Sequence, residues 1–343
     1  MNVGTIKQRI NLWKRALPSV TPFYAIKCNN LAPVVRTLKD SGSGFDCASS
    51  DEFERAKGSD IIYANPCKSR SELQKANDAQ IKYVTFDSPT EIRKIYEIVP
   101  DAKPILRVHV DDKGGARIPL NKKFGMAPQF VGDLCNRFPI YGLAFHVGSD
   151  CRSTDSYQSA FQTVRQFLTL LGRNSGFKPE LLDIGGGFSG NPLNDSFFET
   201  KVAPLVKKEI DNLPFERVIA EPGRFFAEEC CTLHVEVIGR KTLPDGTESI
   251  TLNDSVYGTF SGVLFDGFKP QFKCLTQSEK HGLTQFTIFG RTCDSADRIA
   301  EKVWLPRNIT EGDVLEIPSI GAYSYVSASE FNGFPRCEVQ ELL

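Results

Sequence analysis

An α/β chain built as a closed (β/α)8 TIM-like barrel followed by a C-terminal all-β domain is what this 343-residue sequence predicts. Three observations carry that reading. Between residues 23 and 225, eight short strand-like runs alternate with segments of helical periodicity, and eight strand-helix units in roughly 200 residues are what a closed barrel requires. After residue 226 the pattern changes to alternating or short apolar runs broken by glycine and proline, the signature of a separate β domain. Polar residues gather where each barrel strand empties into its loop. An open doubly wound sheet is the alternative arrangement for the first part.

The opening segment "MNVGTIKQRINLWKRALPSV" mixes charges throughout and has no continuous apolar core, so it predicts a helix and not a signal peptide. The strand runs then follow in order: "FYAIKC" from 23, "GFDCAS" from 44, "IIYANP" from 61, "YVTFDS" from 83, "ILRVHV" from 105, "GLAFHV" from 142, "LLDIGG" from 181 and "RVIAEP" from 217. Between them, Ile92, Ile95, Tyr96 and Val99 recur at helical spacing behind the turn signal Ser88-Pro89. Tyr157, Phe161, Val164, Phe167, Leu168 and Leu171 form a second helical face. The span between "KKFG" and "FHVG" is short, which predicts an abbreviated barrel helix there. The runs "TLHVEVIGRKTL", "QFTIFG" and "DVLEIPSIGAYS" predict strands of the β domain. The expected division is a barrel over 1–225 and a β domain over 226–343, packed closely because the last barrel strand runs straight into it.

Composition narrows the function classes. Lysines and arginines number 41 against 42 acidic residues, a net charge of -1, so no nucleic acid or other polyanionic partner is indicated. No apolar run is long enough to span a bilayer, so no membrane partner is expected and the default location is cytoplasmic. Ten cysteines are scattered without a CxxC pair and predict reduced thiols. His109, His146, His234 and His281 show no ligand spacing, and no metal is predicted.

Active sites of such barrels lie at the C-terminal ends of the strands. Lys27 ends the first run among "FYAI", where desolvation would lower an amine's pKa and free its lone pair for carbonyl attack; a lysine that merely snorkels to solvent is the plainer reading. "DIGGGF" exposes consecutive N–H groups at Gly185, Gly186 and Gly187, a cradle for a phosphate or simply a tight turn, and "HVGS" adds the Ser149 hydroxyl. Glu221 in "AEPGRF" is placed to hold a protonated ring nitrogen of the kind pyridoxal phosphate carries, or to pair with Arg224. His146 is suited to stacking on a flat cofactor, although a lone histidine is more often a satisfied core residue. Arg107, an arginine within an apolar strand, needs an anionic partner. Asp46 and Glu52 in "FDCASSDE" read as supporting carboxylates for the lysine or cofactor, or as a polar edge and a helix N-terminal charge. The glycine- and charge-rich stretch "VDDKGGARIPLNKK" from 110 predicts a mobile loop that closes over substrate, with an ordinary surface loop as the alternative.

Together these motifs resemble the fold-type III pyridoxal-phosphate-dependent decarboxylases, most closely the eukaryotic members that act on ornithine. The resemblance rests on "PFYAIKCN", "FDCAS", "FHVGS", "LLDIGGGF" and "EPGR" in the family's order, and continues through "DSVYGTFSGVLFDGF", "GRTCDSADRI" and "IGAYSYVSASEFNGF". It implies pyridoxal 5'-phosphate as cofactor, held by Lys27, Asp46, Arg107, His146, Ser149, the three glycines, Glu221, Gly223, Arg224 and the phosphate-binding Tyr323. Lys27, His146, Glu221 and the proton donor Cys293 are the implied catalytic residues. Asp266, Asp294, Tyr257 and Phe331 are the implied substrate contacts, with Cys293 and Asp294 supplied by the neighbouring subunit of a homodimer.

Two carboxylates for one distal ammonium imply a short diamino acid. The expected reaction is L-ornithine to putrescine and CO2, in polyamine biosynthesis. Lysine and arginine are the alternatives, and a viral arginine decarboxylase of the family uses glutamate where Asp266 stands. The resemblance also brings in non-catalytic antizyme-inhibitor-like homologues and leaves antizyme open as a partner, but Asp46, Arg107, Arg224, Cys293 and Asp294 are all present. A one-domain pyridoxal-phosphate homeostasis protein would lack residues 226–343, and a carboxylate at 266 would repel the distal carboxylate of diaminopimelate. Both ends are short for the family, so no C-terminal degradation signal is expected. Arg291 stands where the family commonly has proline.

Overall fold

The computed structural model describes residues 1–342 except 112, 132–133, 173–175, 279 and 281, with the main chain only for Cys135. Eight parallel strands close in chain order: β1 (Thr21–Ala25), β2 (Gly44–Cys47), β3 (Ile61–Tyr63), β4 (Tyr83–Phe86), β5 (Lys103–Arg107), β6 (Ile140–Ala144), β7 (Phe177–Asp183) and β8 (Arg217–Ala220), with β8 pairing back onto β1. The register sets Ala25 opposite Asp46 and aligns Arg107, Ala144 and Asp183 across three neighbouring strands. Phe23, Ile62, Ile105, Ala144, Leu181 and Ile219 point inward and fill the interior, so the barrel is a packed core rather than a pore.

The helices form where caps and apolar spacing agree. Ser88 accepts from the Glu91 N–H, Pro89 takes the first turn, and the helix Pro89–Ile98 buries Ile92 and Ile95. Ser153 caps Thr154–Leu171, which buries Tyr157, Phe161, Val164, Phe167 and Leu171. The first segment is the helix Val3–Ala16. Its Trp13 packs among Phe188, Phe198, Phe225 and Phe226, and its buried Arg9 lies 4.0 Å over the Phe225 ring while donating to the Phe225 carbonyl and pairing with Asp195. Each large aromatic buried in this way contributes about 2–3 kcal/mol.

Two local readings change. The first strand ends at Ala25, and residues 26–28 form a 3₁₀ turn, so Lys27 sits one turn beyond the strand. The glycine-rich segment after β5 is tied down: Arg117 N–H donates to Ser149 O (2.9 Å), Ser149 N–H to Ile118 O (2.9 Å) and Arg152 N–H to Gly115 O (2.8 Å). A segment expected to close as a lid is thus docked on the chain after β6, residue 112 lying outside the described residues. Between β5 and β6 the α-helix Leu134–Arg137 has four residues.

The later strands are β9 (Leu233–Thr242), β10 (Glu248–Leu252), β11 (Lys273–Cys274), β12 (Leu283–Phe289), β13 (Arg298–Pro306) and β14 (Val314–Ile317). They make one sheet in the order β11-β14-β9-β10-β12-β13, antiparallel except for the parallel β10–β12 pair. Along β9, buried Leu233, Val235 and Val237 alternate with exposed His234, Glu236 and Ile238, the period of a sheet with one covered face. Contacts divide the chain into a barrel unit, Ile6–Phe226, and a β unit, Ala227–Leu343 with Met1–Thr5. The first five residues therefore sort with the β unit, where Asn2 N–H donates to Cys230 O (2.7 Å).

Candidate active site

The barrel mouth gathers the charged residues. Asp46, on β2, is 1% exposed, and Lys27 reaches it from the 3₁₀ turn to form an ion pair. A desolvated amine among apolar side chains was the expectation. Instead the lysine side chain is 45% exposed, because the turn carries it out of the strand, and the buried carboxylate sets its surroundings. The other oxygen of that carboxylate, Oδ1, is buried with no hydrogen-bond partner among the described residues. Glu52 is not part of this contact; it accepts from the Ala48 N–H and caps the start of the next helix, and burial pushes its carboxyl up.

Glu221 follows β8 directly, its N–H held by Gly185 O (2.7 Å). It hydrogen bonds to Asp183, the last residue of β7, which also accepts from Gly185 N–H (2.8 Å). Burial pushes both carboxyls up, Glu221 further by its proximity to Asp183 and Asp46, so the pair retains a proton well above the ordinary carboxylate range. Asp183 was not singled out from sequence, although it precedes the glycine triplet; its place as a strand's last residue was the available signal.

His146 lies two residues past β6. Its Nδ1 accepts from Gly148 N–H (3.0 Å), so the ring proton of the neutral form sits on Nε2. Burial lowers its pKa well below the usual value, and the Arg107 and Lys27 charges lower it further. Arg107 ends β5 with its guanidinium 4.6 Å over the Phe124 ring, and Arg224 donates to Ser149 Oγ (3.2 Å).

The glycines are required by close approach. A Cβ on Gly185 would stand 2.1 Å from Phe145 O, on Gly186 2.6 Å from Glu221 O, and on Gly187 2.3 Å from Gly148 O; Gly185 and Gly187 have φ of +65° and +99°. They let the loops after β6, β7 and β8 close on one another. Gly223 does the same against the lysine turn, where a Cβ would meet Cys28 Cβ at 2.9 Å.

The β unit carries a second group. Tyr257 donates to Asp294 through its hydroxyl and packs its ring, tilted by 30°, against Phe331 at 4.3 Å. That bond raises the phenol's pKa; with the Ala296 N–H bond it also holds the Asp294 carboxyl down. Cys293 is exposed and touches Asn332, a residue that sequence reading passed over in "FNGF". Asp266 is buried at the end of the short helix Gly262–Phe265. Tyr323 has φ +51°, a left-handed conformation costing a non-glycine residue about 1–2 kcal/mol.

A cationic, aldehyde-bearing, phosphorylated ring fits the barrel group on its own terms. It offers an amine, an orphaned buried carboxylate oxygen, a proton-holding carboxyl pair and an arginine beside a hydroxyl at a glycine-lined mouth.

Fold and mouth together define a lysine-bearing, cofactor-dependent barrel enzyme. The chain belongs to the pyridoxal-dependent decarboxylase family: "Pyridoxal-dependent decarboxylase, pyridoxal binding domain" matches residues 3–228. Ornithine decarboxylase of Caenorhabditis elegans is 37% identical over 98% of this chain and 85% of its own length, and that of Schizosaccharomyces pombe is 37% identical over 96% and 79%. Among solved structures, Paramecium bursaria Chlorella virus arginine decarboxylase superposes with TM-score 0.92 at 32% identity, covering 99% of this chain and 94% of its own. Lysine/ornithine decarboxylase of Vibrio vulnificus, complexed with putrescine, gives 0.88 at 29% identity, with coverage of 100% and 93%.

Proposed function

We propose that this chain decarboxylates L-ornithine to putrescine and CO2 with pyridoxal 5'-phosphate, as a cytoplasmic homodimer. The observation that carries the reading is the Lys27–Asp46 pair set beside the proton-retaining Asp183–Glu221 pair at one barrel mouth. Lys27 would hold the cofactor's aldehyde carbon and Glu221 its ring nitrogen. Arg224, Ser149 and the N–H groups of Gly185 to Gly187 would hold its phosphate, and the His146 ring would lie on its face. Arg107, Asp46 and Gly223 complete that set.

When bound, pyridoxal phosphate supplies an electron-poor ring that accepts the electron pair left by the departing carboxylate. The chain's own groups prepare for this. Asp46 holds the Lys27 ammonium and is placed to take its proton. Glu221 and Asp183 keep a proton at the nitrogen side of the site, and a neutral His146 adds no positive charge beside Arg107 and Lys27. The Cys293 thiol returns a proton to the substrate's α-carbon.

Asp266 and Asp294 favour a substrate with a distal ammonium. Ornithine leads because relatives described as ornithine decarboxylases align over nearly the whole chain, and because residue 266 is aspartate. One methylene separates ornithine from lysine, worth about 1–3 kcal/mol in such a pocket. Arginine is the second reading, favoured by the superposition on the viral arginine decarboxylase. Dimerisation is supported by the apolar surface the β unit leaves open, with Phe265 76% and Leu264 49% exposed beside the candidate substrate residues.

The test is CO2 release by the cofactor-loaded protein from ornithine, lysine and arginine, with its mass in solution measured alongside. Fastest release from ornithine by a dimer is expected. Fastest release from arginine would move the second reading ahead, and no release from any of the three would leave a non-catalytic regulatory homologue.

A further inference from the structure

We propose that Asn332 is a positioning residue for this chemistry: its amide oxygen holds the Cys293 side chain in the rotamer from which the thiol delivers its proton. The proposal rests on the reading of Cys293 as proton donor. The Asn332 Oδ1 accepts from Cys293 twice, from the N–H at 3.3 Å and from Sγ at 3.6 Å. An amide oxygen has no proton to give, so the thiol must be the donor in the second contact.

Asn332 is itself fixed from both sides. It sits at φ +58° inside the turn Phe331–Gly333, a conformation that asparagine tolerates better than most residues. Before it, Ser329 N–H donates to Tyr257 O (2.8 Å) and the Phe331 ring packs against Tyr257. After it, Arg291 donates to Pro335 O (2.8 Å) and lies 4.5 Å over the Phe334 ring. Arg291 stands two residues before Cys293, so one clasp ties the cysteine loop to the asparagine turn. The loop has its own base: buried Asp297 accepts from the Thr292 N–H (2.9 Å), the Thr292 hydroxyl (2.6 Å) and the Val256 N–H (2.9 Å). Within this frame the Cys293 side chain has the Asn332 oxygen as its anchor. In the step itself the S–H bond breaks as the new C–H bond forms, and the electron pair on the substrate carbon takes the proton. The thiolate left behind regains one from water, to which Cys293 is exposed.

Two readouts test this. One is the rate at which iodoacetamide alkylates Cys293, followed peptide by peptide in the cofactor-free protein. The other is the split between kcat and KM in the loaded enzyme. Asn332→Gly keeps the backbone conformation and removes the acceptor. It is expected to speed alkylation about threefold or more, since the side chain loses the contact that restrains its sulfur. It should also lower kcat about 10- to 100-fold with KM within about twofold. Asn332→Asp keeps an acceptor and a tolerant backbone and should bring kcat back to within about threefold of the parent, with alkylation no faster. Should Asn332→Gly not fold, Arg291→Ala unties the same turn and should move both readouts in the same directions by about twofold. Unchanged alkylation and kcat in a folded Asn332→Gly or Arg291→Ala protein, with Cys293→Ala impaired, overturns the role of Asn332 alone. Normal diamine formation by Cys293→Ala overturns the proton-donor reading and the proposal with it.

Discussion

The two ends of the barrel treat charge in opposite ways. At the N-terminal ends of the strands, Glu180 of β7 takes the Lys103 amine on both oxygens at 2.7 Å and the Tyr83 hydroxyl at 2.6 Å. Arg217 pairs with Asp60 at 2.9 Å while its guanidinium rests 5.1 Å over Phe23. Burial pushes the Glu180 carboxyl up, yet the bonds from Lys103 and Tyr83 outweigh it and hold the group low. At the C-terminal ends, the buried carboxyls of Asp46, Asp183 and Glu221 face Lys27 and Arg107, one carboxylate oxygen has no partner among the described residues, and the Asp183–Glu221 pair retains a proton. Charges that hold a barrel together are matched within the protein. Charges that hold a ligand leave a requirement that only the ligand satisfies, which is why perturbed groups cluster at sites.

The largest effects should therefore come from the upper end and fall on chemistry. Lys27→Ala removes the amine and leaves Asp46 buried without its cation; turnover on the preferred substrate is expected to fall about 10⁴-fold or more. A variant retaining a tenth of the parent rate would break the assignment of this end as the reactive one. Glu221→Gln should lower kcat/KM about 10²-fold and yet stabilise the cofactor-free protein. The sign follows from the direction of the shifts. Both acids have folded-state pKa values above their unfolded ones, with Asp183 pushed up to about 7. The stability that their protonated forms contribute is complete below about pH 4 and is lost as pH rises through the folded values. A glutamine stays neutral throughout, so urea unfolding of the cofactor-free variant should show a gain of about 2 kcal/mol near pH 8 and little near pH 4. A loss near pH 8 would mean that the upper end is matched like the lower one.

The barrel was legible because each strand is a short apolar run and each helix declares itself by a cap and a 3.6-residue stripe, as Ser88-Pro89 and Ser153 do. The last residue of a strand was harder to place: "FYAIKC" has no breaker after Ala25, so nothing local marks where pleat becomes 3₁₀ turn and where Lys27 points. The mouth residues could be named one at a time from their positions at strand ends. The Asp183–Glu221 bond could not, because it joins β7 to β8 across 38 residues of chain, and a lone aspartate before a glycine triplet resembles a turn former. The β unit shows the same limit from the other side. Buried Asp254, Asp297 and Asp313 accept backbone N–H bonds as loop staples, and by residue type alone nothing separates them from Asp266 or Asp294.

At the lower end the expected effects are smaller and fall on stability. Glu180→Ala leaves the Lys103 amine and the Tyr83 hydroxyl half-buried without their acceptor, and should cost about 1–2 kcal/mol in urea unfolding while kcat stays within about twofold. A loss of turnover with unchanged stability would overturn the division of labour between the two ends.

Asp60→Asn gives the smallest effect and the sharpest control. It removes a charge and keeps the shape, and Asp60 is 65% exposed where it meets Arg217. Water and salt already solvate such a pair, so its loss should cost about 0.5 kcal/mol or less, fading further as ionic strength rises. Arg217 retains its place over Phe23, a contact that does not depend on the carboxylate. If Asp60→Asn instead cost as much as Glu180→Ala, the lower end would be a coupled network of charges, and its resistance to single changes would have to come from that network rather than from pairs matched one by one.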